Sequence, residues 1–172
     1  MEFGDRSRFA VSFELNERSG GPWMFGKFCY WINDRAIGDY EQGTSLRDVI
    51  VALKWIVFDA GKREDCRRFS MPGEDVYRAI DSSLYGHPEN AGDSEGDTTA
   101  QFEVCPRVDV FNEWKVYLID CGEQARLLYK SASDRNPNEF FLRKGEFDGY
   151  IKRAWDELNA LYDQAIGDQA SE

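Results

Sequence analysis

Residues 21–39, GPWMFGKFCYWINDRAIGD, admit two readings that lead to different folds. The first eight carry both glycines and the lysine of a phosphate-binding loop, G-x-x-x-x-G-K-[ST], which would open a helix in a parallel α/β sheet. That loop needs a hydroxyl after the lysine to hold magnesium, and exposed backbone amides to wrap phosphate. Phe28 stands where the hydroxyl belongs, and Trp23, Met24 and Phe25 crowd the loop. Lys27 itself opens KFCYWI, a strand-like run, so no helix N-terminus faces an anion there. Asn33-Asp34 then supplies turn residues, and the chain returns through Ala36 and Ile37. The stretch reads as an antiparallel hairpin.

Working outward, Phe9, Val11, Phe13 and Leu15 alternate with polar neighbours, the period of a half-buried strand. After the hairpin, Ser45 and Asp48 form a helix-start pair. Leu46, Val49, Ile50, Leu53, Ile56 and Val57 then mark one face of a helix that ends before Gly61. Pro72, Val76, Tyr77, Ile80, Leu84 and Gly86 outline a second helix. Residues 86–99 read as an exposed acidic loop. QFEV, WKVYLID, ARLLYK and EFFLRK are strand-like, with CGEQ as a turn between the second and third. Phe147, Ile151, Ala154, Trp155, Leu158, Leu161 and Tyr162 mark a last amphipathic helix, with residues 166–172 as a disordered tail. Strands and helices come in runs, so the expectation is one α+β domain over residues 1–172, a mostly antiparallel sheet packed with two to three helices.

A chain of 172 residues with 12 Phe, 8 Tyr and 5 Trp can bury roughly 70% of its unfolded surface in a single core. Its opening residues lack a basic start followed by an apolar run, and no apolar run approaches a membrane span, so the expected location is cytoplasmic. Cys29, Cys66, Cys105 and Cys121 are widely spaced with no C-x-x-C pair, which reads as free thiols in a reducing compartment. The formal net charge is −11, which opposes binding to nucleic acid or anionic lipid. Six acids and no Lys or Arg fall in residues 79–106. Lys62, Arg63, Arg67 and Arg68 gather after the first long helix, where cations favour the helix C-terminus.

Chemical motifs are sparse. Asp109, Glu113 and Lys115 echo the acids and lysine of metal-dependent nucleases, but the two parts lie too close in sequence for the usual strand-then-hairpin geometry. They define an alternative reading as a hydrolase or nuclease. The run from Asp93 to Asp97 starts like a calcium loop, yet Val104 occupies the closing position where a bidentate Glu belongs. His87, the only histidine, has no nucleophile-elbow pattern to serve. No catalytic, metal or cofactor set emerges from the residues, and a regulatory or scaffold domain is a further alternative.

The segments FGDRSRFAVSFEL, GKFCYWINDRAIGD, TSLRDVIVALK and VDVFNEWKVYLID…ARLLYK resemble the immunity protein 42 family of bacterial polymorphic toxin and contact-dependent inhibition systems, over residues 3–154. The resemblance implies a non-catalytic cytoplasmic protein that binds a cognate toxin domain, and it carries over no catalytic residue. Many delivered toxins are nucleases with basic clefts, to which an acidic protein is electrostatically steered. On that basis the candidate toxin-binding residues are Asp39, Tyr40 and Glu41 after the hairpin, Asp93, Glu95 and Asp97 in the acidic loop, and the aromatics Trp23 and Tyr85. The oligomeric state, monomer or dimer, is left open.

Overall fold

In the computed structural model, which describes residues 1–18, 20–86 and 99–169, the phosphate-loop letters form a short 3-10 turn, Gly21–Trp23. Met24 comes next in the left-handed region (φ 51) and is driven into the core, while Trp23 stays half exposed. Gly26 is obligatory at its place: a Cβ there would stand 2.2 Å from the Glu14 carbonyl oxygen and 2.7 Å from Leu46 Cδ1. It lets β3 (Phe25–Ile32) press against β2 (Phe9–Leu15) and the start of α1 (Leu46–Phe58). Asn33 and Asp34 both have positive φ, as a two-residue type I′ turn requires, and carry β3 into β4 (Arg35–Ile37).

The first sheet runs β1-β2-β3-β4, where β1 is Glu2–Asp5, and a two-residue β5 (Thr44–Ser45) pairs with the start of β3. The second is a meander of β6 (Trp114–Cys121), β7 (Gln124–Ser131) and β8 (Asn138–Arg143). The strands therefore form two antiparallel sheets rather than the one expected. The α+β class holds. QFEV is not a strand. Ala100–Phe102 is a 3-10 turn, after which the Val104 N–H donates to the Val116 carbonyl along the outer edge of β6. Leu15, expected to point inward, is exposed.

Helix α1 begins where the sequence says, with Ser45 Oγ accepting from the Asp48 N–H at 3.3 Å. Its inner face (Leu46, Val49, Ile50, Leu53, Ile56) packs with Phe9, Phe28 and Tyr30 of the first sheet and Val116, Leu118 and Leu127 of the second. Helix α4 (Glu146–Gln169) adds Phe147, Ile151, Ala154 and Leu158 to this core, and Trp155 Nε1 donates to the Ile50 carbonyl at 3.0 Å. The helix runs to Gln169, so residues 166–169 of the expected tail are helical.

The opposite face of the second sheet is covered by α2 (Cys66–Phe69) and α3 (Gly73–Tyr85). Val76, Tyr77 and Ile80 meet Tyr117, Ile119 and Leu128 in a second cluster. With a core on each side, the central residues of β6 and β7 are buried, Asp120 and Arg126 among them.

Two buried arginines tie these layers. Arg63 is fully buried. It donates to Asp148 (2.7 Å), the Ile56 carbonyl (2.7 Å) and the Gln101 carbonyl (2.8 Å). It does meet a carbonyl in the last turn of α1, but as an interior cross-link rather than a surface cation. Arg126 donates to the Phe69 and Met71 carbonyls and to Glu139. Gly73 opens α3 beside that pair, where a Cβ would collide with Glu139 Oε1 at 1.9 Å.

The expectation of four free thiols fails for one pair. Cys66 and Cys121 are joined in a disulfide with Cα atoms 4.8 Å apart, whereas Cys29 and Cys105 are free and buried. Fifty-five residues separate the bonded pair in sequence. The bridge between Glu64 and Asp120 brings them together in space.

Candidate partner-binding surface

The outward side of α1 is apolar as well. Val51, Trp55 and Phe58 share it at i, i+4 and i+7 and are 59%, 65% and 52% exposed. Trp55 and Phe58 meet edge to face, their centroids 6.4 Å apart. At the N-terminal end of the same helix the 3-10 turn presents Trp23, stacked with Phe25 at 6.5 Å and nearly parallel. The guanidinium of Arg47 lies 3.9 Å from the centre of the Trp23 ring.

Two depressions flank this helix face. The first, about 940 Å³, is lined by Trp23, Phe25, Thr44, Asp48, Arg107 and Asp109, among others. The second, about 610 Å³, runs along Val51, Trp55, Asp59 and Glu103 and shares Asp48 and Arg107 with the first. Together they form one groove between α1, the Gly21–Trp23 turn and the segment leading into β6. Among the described residues its lining carries the carboxylates Asp48, Asp59, Glu103 and Asp109 and the cation Arg107, while Arg47 and Lys62 pair with Asp48 (3.0 Å) and Asp59 (2.9 Å).

Trp23 therefore lies on this groove, half exposed and available for contact. Asp39, Tyr40 and Glu41 line a neighbouring hollow of about 730 Å³ that shares Gln42 and Asp109 with the groove. Asp39 Oδ1 accepts the Glu41 and Gln42 N–H groups and so shapes the turn. Glu41 pairs with Lys27 at 2.9 Å, and Tyr40 packs edge-on against Trp31, where burial raises its phenol pKa. Tyr85, at the end of α3, donates to Glu103, and burial and that carboxylate raise its pKa well above the ordinary value. Glu103 also pairs with Arg107 at 2.6 Å, which raises the arginine's pKa further. Trp23 and the Asp39–Tyr40–Glu41 turn thus line adjoining hollows, and Tyr85 reaches the groove through Glu103. Asp93, Glu95 and Asp97, like His87, lie outside the described residues.

Phe25, Asp48, Val51, Trp55, Phe58 and Arg107 belong to this surface and were absent from the sequence candidates. Arg47, Asp48 and Lys54 share α1 with Val51, Trp55 and Phe58, so the apolar periodicity of the helix marks its buried stripe and not its outer face.

The nuclease-like set does not assemble. Asp109 and Glu113 line the same hollow, but Asp109 accepts from Thr44 Oγ1 at 2.7 Å and from the Val110 N–H. Lys115 is turned away to Asp81 (2.5 Å) and the Tyr85 ring (4.4 Å). Val104, at the closing position of the calcium-loop pattern, is buried in the core. Among the described residues, Glu64, Cys66 and Cys121 bring three potential metal-ligand atoms within 4.8 Å, but the two sulfurs are bonded to each other and Glu64 pairs with Lys144. No helix among the described residues is long and apolar enough to cross a membrane.

No curated protein matches the chain in sequence. Among solved structures the chain is similar to the crystal structure of CdiI from Burkholderia dolosa AUO158, with a TM-score of 0.73 and 19% identity over 91% of this chain and 99% of that one. At that identity the likeness speaks to the fold. The family model for immunity protein 42 matches residues 1–157, a span that includes both sheets, α1 to α3, the groove and the first half of α4, and the chain therefore belongs to the immunity protein 42 family.

Proposed function

We propose that this immunity-family protein neutralises its cognate toxin domain by stoichiometric, non-catalytic binding in the cytoplasm, and that the toxin is a basic, nuclease-type domain. The observation that carries this reading is the family match over residues 1–157. The net charge of −11 supports the basic target, since opposite potentials raise association rates by ~10- to ~1000-fold at low salt. Trp23 and the Asp39–Tyr40–Glu41 turn, on two adjoining hollows, and Tyr85, tied to Glu103 on the groove wall, supply polar and aromatic contacts of the kind that surround an interface centre. The reading as a hydrolase loses support because Asp109 and Lys115 are held by Thr44 and Asp81.

The test is a titration of the purified toxin domain encoded beside this gene. Binding predicts that toxin activity falls linearly to zero at a fixed molar ratio, and that association slows as salt rises. Loss of toxin activity at strongly substoichiometric amounts of this protein would instead indicate turnover and end the non-catalytic reading.

A further inference from the structure

The outer face of α1 has an apolar content that folding does not use. Val51, Trp55 and Phe58 are each more than half exposed, and Trp23 and Phe25 extend the patch across the adjoining groove. Large aromatics in such numbers on one rigid helix resemble the anchors that dominate binding energy in protein interfaces. Their geometry is set in advance, because α1 is fixed from beneath by its buried face and by the Trp155 bond to the Ile50 carbonyl. Little order remains to be acquired on binding.

The charges state what can cover this patch. Three of the groove's four carboxylates are already paired at the surface, Asp48 with Arg47, Asp59 with Lys62 and Glu103 with Arg107, so the charge that selects a partner is that of the whole chain, net −11. A second copy of the chain brings another net −11 and is repelled. The chain's own residues 87–98 include Glu89, Asp93, Glu95 and Asp97 and no Lys or Arg, so they carry the same sign as the chain as a whole. A cationic protein surface is attracted. The aromatic faces already accept cations, with Arg47 at 3.9 Å from Trp23 and Lys54 at 5.6 Å from Phe58. These are exposed contacts that an incoming Lys or Arg can replace at little cost.

We propose that the outer face of α1, with the groove beside it, is the anchoring surface for the toxin, and that it receives a basic segment presenting a bulky apolar side chain among Lys and Arg residues. This rests on the reading of the protein as a toxin-binding immunity protein. It places the energetic centre of the interface on Trp55 and Val51. Asp48 and Asp59 act mainly on the rate of association.

The test uses the full chain and the toxin domain encoded beside the gene, with equilibrium and rate constants measured for wild type, Trp55→Ser, Phe58→Ser and Asp48→Asn/Asp59→Asn. The expected result is about 100-fold weaker binding for Trp55→Ser, expressed in the dissociation rate. Phe58→Ser should weaken binding less, and the double acid variant should associate more slowly with a flatter salt dependence. Hydrogen exchange on the wild-type complex should slow in residues 46–58, a readout that needs no variant to fold. If Trp55→Ser and Phe58→Ser bind within threefold of wild type and exchange in α1 is unchanged, the surface is wrong while toxin neutralisation stands. If wild type fails to bind the toxin domain, the immunity reading itself falls, and this proposal with it. Wild-type self-association that Trp55→Ser abolishes would make a second copy the occupant and overturn the assignment.

Discussion

Helices α1 and α3 are each 13 residues long and each lie on a sheet, yet their outer faces differ in kind. On α3 the solvent side carries Glu74, Asp75 and Arg78, with Arg78 paired to Glu74 at 2.6 Å across one turn. On α1 the corresponding side carries Val51, Trp55 and Phe58. Both helices bury a full apolar stripe on the inside, so folding alone does not explain the difference. The inner stripe of each fixes its place; the outer face of α3 is a charged, solvated surface, and that of α1 is the one we propose receives another molecule. Local amphipathicity thus distinguishes a helix that is finished by its own chain from one that is not.

The inward anchoring of α1 should be the costliest feature to disturb. Arg63→Met leaves Asp148 without its buried partner and frees the Ile56 and Gln101 carbonyls, which is expected to cost about 3–5 kcal/mol in urea unfolding. A loss below about 1 kcal/mol would show that apolar packing alone seats the helix. The two faces of α1 can then be set against each other. Leu53, fully buried, should cost about 3 kcal/mol when changed to Ala, whereas Trp55→Ser two residues later should change stability by less than about 1 kcal/mol. Equal losses at the two positions would mean that the outer face is structural after all. The smallest effect belongs to α3. Arg78→Ala removes exposed pairs and should stay within about 0.5 kcal/mol, and it should leave toxin binding unchanged.

Sequence reading succeeded where the information is local. The Ser45–Asp48 cap, the two-residue turn at Asn33-Asp34 and the largely apolar strands β6 and β7 each depend on neighbours in the chain. It missed β1, a four-residue edge strand with a glycine in the left-handed region (φ 111), whose order comes from pairing with β2 and from Phe3 packing against the core beneath Arg153 of α4. Division of the strands into two sheets, the burial of Arg63 and the pairing of Cys66 with Cys121 all depend on contacts between distant segments, which neither spacing nor composition encodes. At the candidate surface, acidity and Trp23 were legible. Trp55 was not, because the buried stripe of α1 accounts for the helix by itself and leaves its second apolar face without a separate signal.

The Cys66–Cys121 bond also makes part of the molecule a closed ring. Helices α2 and α3, residues 87–98 and strand β6 up to its last residue all lie within it. A single peptide cleavage anywhere inside the ring leaves the two products in one covalent piece, so the loss of chain continuity does not become a loss of mass until a thiol reductant opens the bond. The oxidised protein thus tolerates a nick in the part of the chain that carries β6 and the helices covering the second sheet, and the reduced protein does not.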